Sequence, residues 1–431
     1  MVSTFRSLGI HNYKLWFIGA LISNIGTWMQ RTAQDWLVYD ILTDQNASAL
    51  GIVMALQLGP QLVIAPWAGV IADSVDRRKL LVITQLSMAA LGAGLGVMVL
   101  LDIAVLWHVY AFALALGIVA AFDSPARGAF VSELVRDDYL PNAVALNSAS
   151  FNGARLVGPA VAGLLTAGVG PGWVFVSNAF TCGALVYVML VMRRSELNRQ
   201  PRPPKGKGGI RAGFSYVRRR PDLMVVMLAI FVVGTFGLNF PVFIASMART
   251  EFGQDAGVFG VLSSVMAVGS LSGALLSARR DGPRLRFVFG ASAAFGVACA
   301  LAAVAPNLWL FGLALVPVGL FALTLMTSAN AYVQTTTDAV MRGRVMALYF
   351  AIFLGGTPLG APVVGWVSDV FGPRASLLVA AAAGLLAAAI GIFWGWRYHE
   401  VRLRYDRTAP RRLRLDHEVI REAVADPKAP E

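Results

Sequence analysis

The sequence predicts an all-α polytopic membrane protein, with twelve transmembrane helices in two pseudo-symmetric six-helix bundles and both termini cytoplasmic. Recurrent apolar runs, one-sided basic residues and an internal repeat carry that prediction. Of the 431 residues 57% are hydrophobic and only 14% charged, with a mean hydropathy of +0.65; a soluble chain carries about a quarter charged residues. Apolar runs of about 20 residues, enough to cross a ~30 Å hydrocarbon layer, follow one another along nearly the whole chain. Such a layer offers no water to backbone N–H and C=O groups, so each run is read as a helix. The ~10-residue alternating segments of a membrane barrel are absent.

The opening "MVSTFRSLGIHNYKLW" has basic residues but no small-residue cleavage site. It predicts a short interfacial helix leading into an uncleaved first span at 15–40. Further spans are expected at 49–72, 79–101, 105–126, 142–168 and 172–193. Residues 194–221, "RSELNRQPRPPKGKGGIRAGFSYVRRRP", are basic and rich in Pro and Gly and read as a cytoplasmic linker. Their "GKGG" lacks the upstream glycine and following Ser/Thr of a P-loop, so ATP is not implied. The second set is expected at 222–248, 256–278, 286–305, 308–333, 344–368 and 373–396. The divisions are therefore a bundle at 1–193, the linker at 194–221, a bundle at 222–397 and a basic tail at 398–431.

All of the 36 Lys and Arg residues except Arg31, Arg155, Arg249 and Arg374 fall on one side of this arrangement. That asymmetry makes the termini cytoplasmic. The net charge of +12 is then a matter of topology and of attraction to anionic lipid, above all at the tail, and gives no reason to invoke nucleic acid. Cys182 and Cys299 fall in separate spans and read as core packing. Asn46-Ala47-Ser48 matches a glycosylation sequon, a common motif in a short loop.

An offset of 202 residues aligns the halves without a gap from 117 to 173. Gly117, Gly153, Gly158, Gly163 and Gly170 pair with Gly319, Gly355, Gly360, Gly365 and Gly372, and Pro171 pairs with Pro373. The offset spans an even number of helices, so the repeats are parallel, as in rocker-type transporters.

Residues 69–79, "GVIADSVDRRK", resemble motif A of the major facilitator superfamily, with Gly69, Asp73, Arg77 and Arg78 at its glycine, acidic and basic positions. Ser74 replaces a basic residue of the motif and Asp76 a glycine. The stretches "GTWMQRTAQDWLVY", "FDSPARGAFVSELV" and "LNSASFNGARLVGPAVAGLL" resemble the branch of enterobactin exporters and macrolide efflux pumps, a drug:proton antiporter group. Gly158-Pro159 to Gly163 resembles the antiporter motif of exporters, with Ala162 in place of its first paired glycine. In the second half Ser277 occupies the place of the motif A aspartate. The resemblance implies a transporter of the bacterial cell membrane, working as a monomer on small molecules and protons, with no cofactor. It also implies a cytoplasmic latch of the outward-open state, made by Asp73 and the following arginines against the eleventh span near Gly343.

Several residues are singled out on physical grounds. Asp123 and Arg127 lie four apart at the inner end of the fourth span, with Pro125 interrupting the helix, and are expected to join Asp73 in the cytoplasmic gate. Ser148, Asn152 and Arg155 share one face of the fifth span. A charge near the bilayer centre costs at least ~2.5–3.5 kcal/mol and normally faces a cavity or a partner. Asn24, Thr27, Arg31, Gln34 and Asp35 form a polar stripe on the first span, and Gln57 and Gln61 do so on the second. Asn24, Gln34, Gln57, Gln61, Asn152 and Arg155 are the substrate-cavity candidates. Gly158, Pro159, Gly163, Gly360 and Gly365 are expected to allow close helix contacts at the pseudo-twofold interface.

Asp35 is the only carboxylate placed well inside a span, one turn beyond Arg31. The pair is expected to neutralise itself while Arg31 stays close. If a substrate draws Arg31 away, proton uptake by Asp35 competes with substrate binding. Arg31, Asp35 and Asp123 are thus the proton-coupling candidates. The function expected is proton-coupled export of amphipathic or siderophore-like molecules by alternating access. A metabolite uniporter or importer on the same fold is the alternative, and a membrane scaffold or receptor a more distant one. An enzyme is not indicated, because the four histidines are dispersed and no metal or nucleophile spacing appears.

Overall fold

The computed structural model describes residues 5–198, 210–278 and 284–399, with two short strands beyond; the side chains of 65, 66, 69, 70, 72, 73, 210–212, 278 and 397–399, and of both strands, lie outside this description. The protein is helical. A 3₁₀ turn at Arg6–Gly9 precedes α1 (His11–Trp36), which ends in a π-helical turn at Leu37–Leu42. Then come α2 (Ala47–Ser74), α3 (Arg77–Leu100), α4 (Leu106–Leu134), α5 (Leu140–Val169) and α6 (Pro171–Val191). A short α7 (Ile210–Arg218) leads to α8 (Pro221–Phe236), α9 (Phe240–Ser246) and a second π-helical turn at Met247–Glu251. The remaining helices are α10 (Ala256–Ala278), α11 (Leu285–Ala303), α12 (Leu308–Thr336), α13 (Arg342–Phe371) and α14 (Pro373–His399). Strands β1 (Arg402–Tyr405) and β2 (Leu413–Asp416) pair antiparallel, so part of the tail is a hairpin.

The helix boundaries follow from local chemistry. Asn46, Asp76 and Asn307 each accept the N–H three residues on, at 2.8, 3.2 and 2.9 Å, and so cap α2, α3 and α12. The apparent sequon asparagine is thus a helix cap. Gly170 and Gly372 have φ of +87° and +90°, a conformation glycine adopts freely, and each precedes a proline that opens the next helix. The repeat is therefore built into the same turn twice.

Three elements differ from the expected spans. Pro125 lies inside an unbroken α4 and does not interrupt it. The expected seventh span is discontinuous: α8 stops at Phe236 and α9 restarts at Phe240, with Pro241 in its first turn. Part of the expected linker is helical, because Gly213 of α7 lies against the backbone of Arg344, where a Cβ would come within 3.0 Å.

Ten helices among the described residues are long and apolar enough to cross a membrane by length and composition. The long helices α1 and α5 fall outside that set because of their polar faces. In α1 those polar groups turn inward: Gln30, Gln34 and Asp35 are buried, while Ile18 and Ile22 are exposed.

Three of the glycine pairs make equivalent contacts in the two halves, whereas Gly153 has nothing near its Cβ position and Gly355 meets Leu62. A Cβ at Gly117 would strike the carbonyls of Leu56 and Gln57 on α2, and one at Gly319 would strike that of Met266 on α10. Gly158 lies against Trp28 on α1, and Gly360 against Thr235 on α8. Gly163 meets Ala256, Gly257 and Gly260 on α10, and Gly365 meets Ala47 and Ser48 on α2. Gly163, Pro159 and Gly365 thus sit between the halves, whereas Gly158 and Gly360 pack within their own. Side-chain volume at these points would hold the backbones apart.

Gly163→Leu is expected to insert normally but to open this side of the molecule. Overpacking costs about 1–3 kcal/mol, about 5-fold to 150-fold in the balance of states. A cysteine introduced at the buried Leu50 should then react faster with an impermeant maleimide. Gly153→Leu, with nothing near its Cβ, is the matched control; equal labelling in the two would remove Gly163 from the closure.

Candidate functional site

A cavity of about 400 Å³ lies between the halves, walled by α1, α2 and α5 on one side and by α9, α10, α12 and α13 on the other. Trp28, Arg31, Asp35, Gln57, Phe151 and Arg155 face it from the first half. Phe240, Met266, Met326 and Phe353 face it from the second, along with Leu238 in the break of the seventh span. Discontinuous helices at mid-membrane characteristically line solute sites. A furrow of about 440 Å³ between α11 and α12 is lined only by apolar side chains and prolines and offers no polar group to a solute.

Arg31 and Asp35 are brought to the cavity, where each acts on the other's charge, but they make no hydrogen bond or ion pair. Arg31 leans over the Trp28 ring, its Cζ 5.5 Å from the centroid, and its Nε is buried without a hydrogen bond among the described residues. Asp35 is buried and makes no hydrogen bond or ion pair among them. Arg155, from α5, approaches the same indole at 5.7 Å. The attraction of the ring's face for cations holds the guanidiniums where an acid one turn away does not.

Asp123 is the opposite case, a second deep carboxylate that is fully answered. It accepts from Arg127 Nε at 2.5 Å, Thr84 Oγ1 at 2.7 Å and Gln85 Nε2 at 2.9 Å. Arg127 also donates to Asn24 Oδ1 and Ser23 Oγ, at 3.2 and 3.1 Å, and Ser23 donates to Gln85. The network ties α1, α3 and α4 of one half together, and Asn24 belongs to it. Deeper still, Asn178 bonds to Gln30 across α6 and α1.

The other cavity candidates divide. Gln57 lines the cavity with its Nε2 unpartnered among the described residues. Gln34 is buried with an unpartnered Nε2 but lies outside the cavity wall. Gln61 and Asn152 donate back to Gln57 and Ser148 of their own helices, as a helix lets an amide reach a carbonyl four residues earlier. The side chains of Gly69 and Asp73 lie outside the described residues. Arg77 pairs with Glu133 at 2.7 Å, and Arg78 donates to the Leu190 carbonyl. His108 accepts the Val105 N–H at the start of α4.

The cavity is sealed on the side away from the basic loops. Asp369, at the end of α13, accepts the N–H groups of Ala47 and Ser48 at 2.7 and 2.9 Å and the Ser48 hydroxyl at 2.5 Å. It caps the positive end of α2 across the halves. Arg249 pairs with Asp40 at 2.6 Å, and Thr250 bonds Tyr39 and Gln45 at 2.6 and 2.8 Å. Arg374 pairs with Glu251 at 2.9 Å and donates to the carbonyls of Ala303 and Ala305. Sequence reasoning missed this closure, yet a signal was present: Arg249 and Arg374 are the two loop arginines on the otherwise cation-poor side.

A family model described as transmembrane secretion effector matches residues 2–416. The staphyloferrin A transporter of Staphylococcus aureus is 24% identical over 83% of this chain and 90% of its own length. The multidrug efflux pump Tap of Mycolicibacterium fortuitum is 27% identical, covering 87% and 93%. The enterobactin exporter EntS of Shigella flexneri is 26% identical, covering 84% and 85%. Among solved structures, a bacterial homologue of the lysosomal transporter Spinster in an inward-facing state superposes with a TM-score of 0.71 at 16% identity, covering 89% of this chain and 97% of that one. A D-xylose–proton symporter gives 0.69 at 15%, covering 90% and 97%.

Asp369→Ala removes the cap across the halves, worth up to ~2 kcal/mol in a partly buried setting, or up to about 30-fold in population. Spin-label distances between the sealed-side ends of α2 and α13 should lengthen. Glu251→Gln, whose partner lies in the same half, should leave that distance unchanged. Coincident distributions for Asp369→Ala and the parent would assign the carboxylate no part in the seal.

Proposed function

Because the chain belongs to the transmembrane secretion effector family of the major facilitator superfamily, it is a membrane transporter, and we propose that it exports amphipathic small molecules from the cytoplasm in exchange for protons. The observation that carries this reading is Asp35, a buried carboxylate with no hydrogen bond among the described residues, on the wall of a cavity shared by both halves. With the basic loops cytoplasmic, the sealed side is the outer one, and this state takes up solute from inside. Ionised Asp35 accepts hydrogen bonds from donors on the solute. A proton arriving from outside turns one of its oxygens into a donor and cancels its charge. Solute and proton then displace one another, which is the linkage that exchange requires. The Met and Phe side chains of the wall suit varied apolar bodies, since a thioether chain repacks at little cost.

The siderophore and drug exporters among the relatives support the direction of transport. Asp123 is a poor proton carrier by comparison, because a proton there would disrupt two hydrogen bonds and the Arg127 ion pair. The cytoplasmic latch remains assigned to Asp73 with Arg77 and Arg78, in the opposite state of the cycle.

The test is uptake of an amphipathic fluorescent dye into everted vesicles carrying an imposed pH gradient. Wild type should accumulate dye and Asp35→Asn should not, while equilibrium dye binding to the purified variant loses its dependence on pH. Gradient-driven uptake by Asp35→Asn at the wild-type rate would make Asp35 structural. Uptake only into right-side-out vesicles would make the protein an importer.

A further inference from the structure

We infer that Arg155 and Trp28 form an anion-binding subsite, and that the transported solute carries an acidic group beside its apolar body. The inference rests on the transport reading and adds the chemical class of the solute. Three side chains of the cavity wall bear charge: Arg31, Arg155 and Asp35. Arg31 has Asp35 one turn away on its own helix as a counter-charge. Arg155 has none, since it makes no ion pair or hydrogen bond among the described residues and no carboxylate there acts on it. A guanidinium cannot shed its proton to escape burial, so its charge must be met, and the Trp28 face at 5.7 Å meets it only in part.

The hydrogen-bonding balance of the wall points the same way. Thr32, Ser263 and Thr357 spend their hydroxyl protons on the carbonyls of Trp28, Phe259 and Gly234. Gln57 Nε2 and Arg31 Nε are buried with no acceptor among the described residues. Donors without acceptors therefore outnumber the one free carboxylate. An acidic group supplies oxygens in the planar arrangement a guanidinium fork matches. A cationic solute would meet two guanidiniums, and a neutral one would leave Arg155 unanswered. Phe151, edge-on to Trp28 at 5.8 Å, adds an aromatic surface beside the head-group position. The acid belongs at Arg155 and not at Arg31, so ionised Asp35 remains available for the proton exchange proposed above.

Calorimetric titration of the purified protein in lipid nanodiscs with 2-naphthoate, 2-naphthol and 2-naphthylmethylammonium tests this, because the three share a ring and differ in charge. Naphthoate should bind at least about ten-fold tighter than the ammonium. Arg155→Gln should remove that preference and leave naphthol affinity unchanged, which also reports an intact fold, and Arg155→Lys should restore it in part. Equal or tighter binding of the ammonium by the wild type, no binding of naphthoate, or a preference that survives Arg155→Gln would each overturn the proposal. No proton gradient enters the measurement, so failure here leaves the exchange mechanism standing, and failure of gradient-driven efflux leaves the anion preference standing.

Discussion

A charge placed at hydrocarbon depth must be answered by a partner or by a polar cavity, and that constraint organises this protein. The first half meets it in two ways. Asp123 and Arg127 are closed into a network with Ser23, Asn24, Thr84 and Gln85, where each group has a partner. Such a cluster is expensive to disturb, because any displaced member becomes an unpaired polar group at low dielectric. Arg31, Asp35 and Arg155 are left open and turned toward the space between the halves. The same helices thus hold a fixed charge cluster and a responsive one. Function belongs to the groups whose partners must come from outside the chain.

The halves can enclose that space only because their backbones approach closely at few points. Where α5 meets α10 and α2 meets α13, carbonyls and glycine Cα atoms are in contact and side chains are nearly absent. Such contacts give shape without a hydrophobic driving force, since lipid tails are as apolar as the residues they would replace. A smooth, small-residue seam is a surface on which one half can pivot against the other. The repeat makes the two seams alike, because Gly163 and Gly365 are the same position in the two halves.

Fold class, the paired glycines and the deep charges were legible in the sequence because each follows from a local rule: run length, spacing or the cost of burial. Asp35 and Arg31 were found that way. Their relation was not, because helix spacing places two side chains on one face without saying which neighbour each prefers, and Trp28 holds Arg31 instead of Asp35. Pro125 misled for a related reason: a helix packed in a bundle tolerates a proline whose lost hydrogen bond its surroundings offset. Asp369 carried no signal in the sequence, since only the tertiary approach of α2 makes it a cap. Gln61 and Asn152 had the right face and the wrong partner, since an amide in a helix can satisfy itself on the preceding turn.

The sealed side is held in part by interactions of the kind that give way. Asp40 with Arg249 is a partly exposed ion pair across the halves, a class worth roughly 0–1 kcal/mol, while Glu251 with Arg374 lies within the second half. The Asp369 cap adds up to ~2 kcal/mol. Buried apolar side chains also meet across the halves on this side, with Trp36 stacked on Phe259. The partly exposed polar contacts at the rim fix the register in which the halves meet. This is why the exceptions to the one-sided distribution of basic residues lie where they do. Arg249 joins the halves through Asp40, and Arg374 braces the second half through Glu251 and the carbonyls of Ala303 and Ala305.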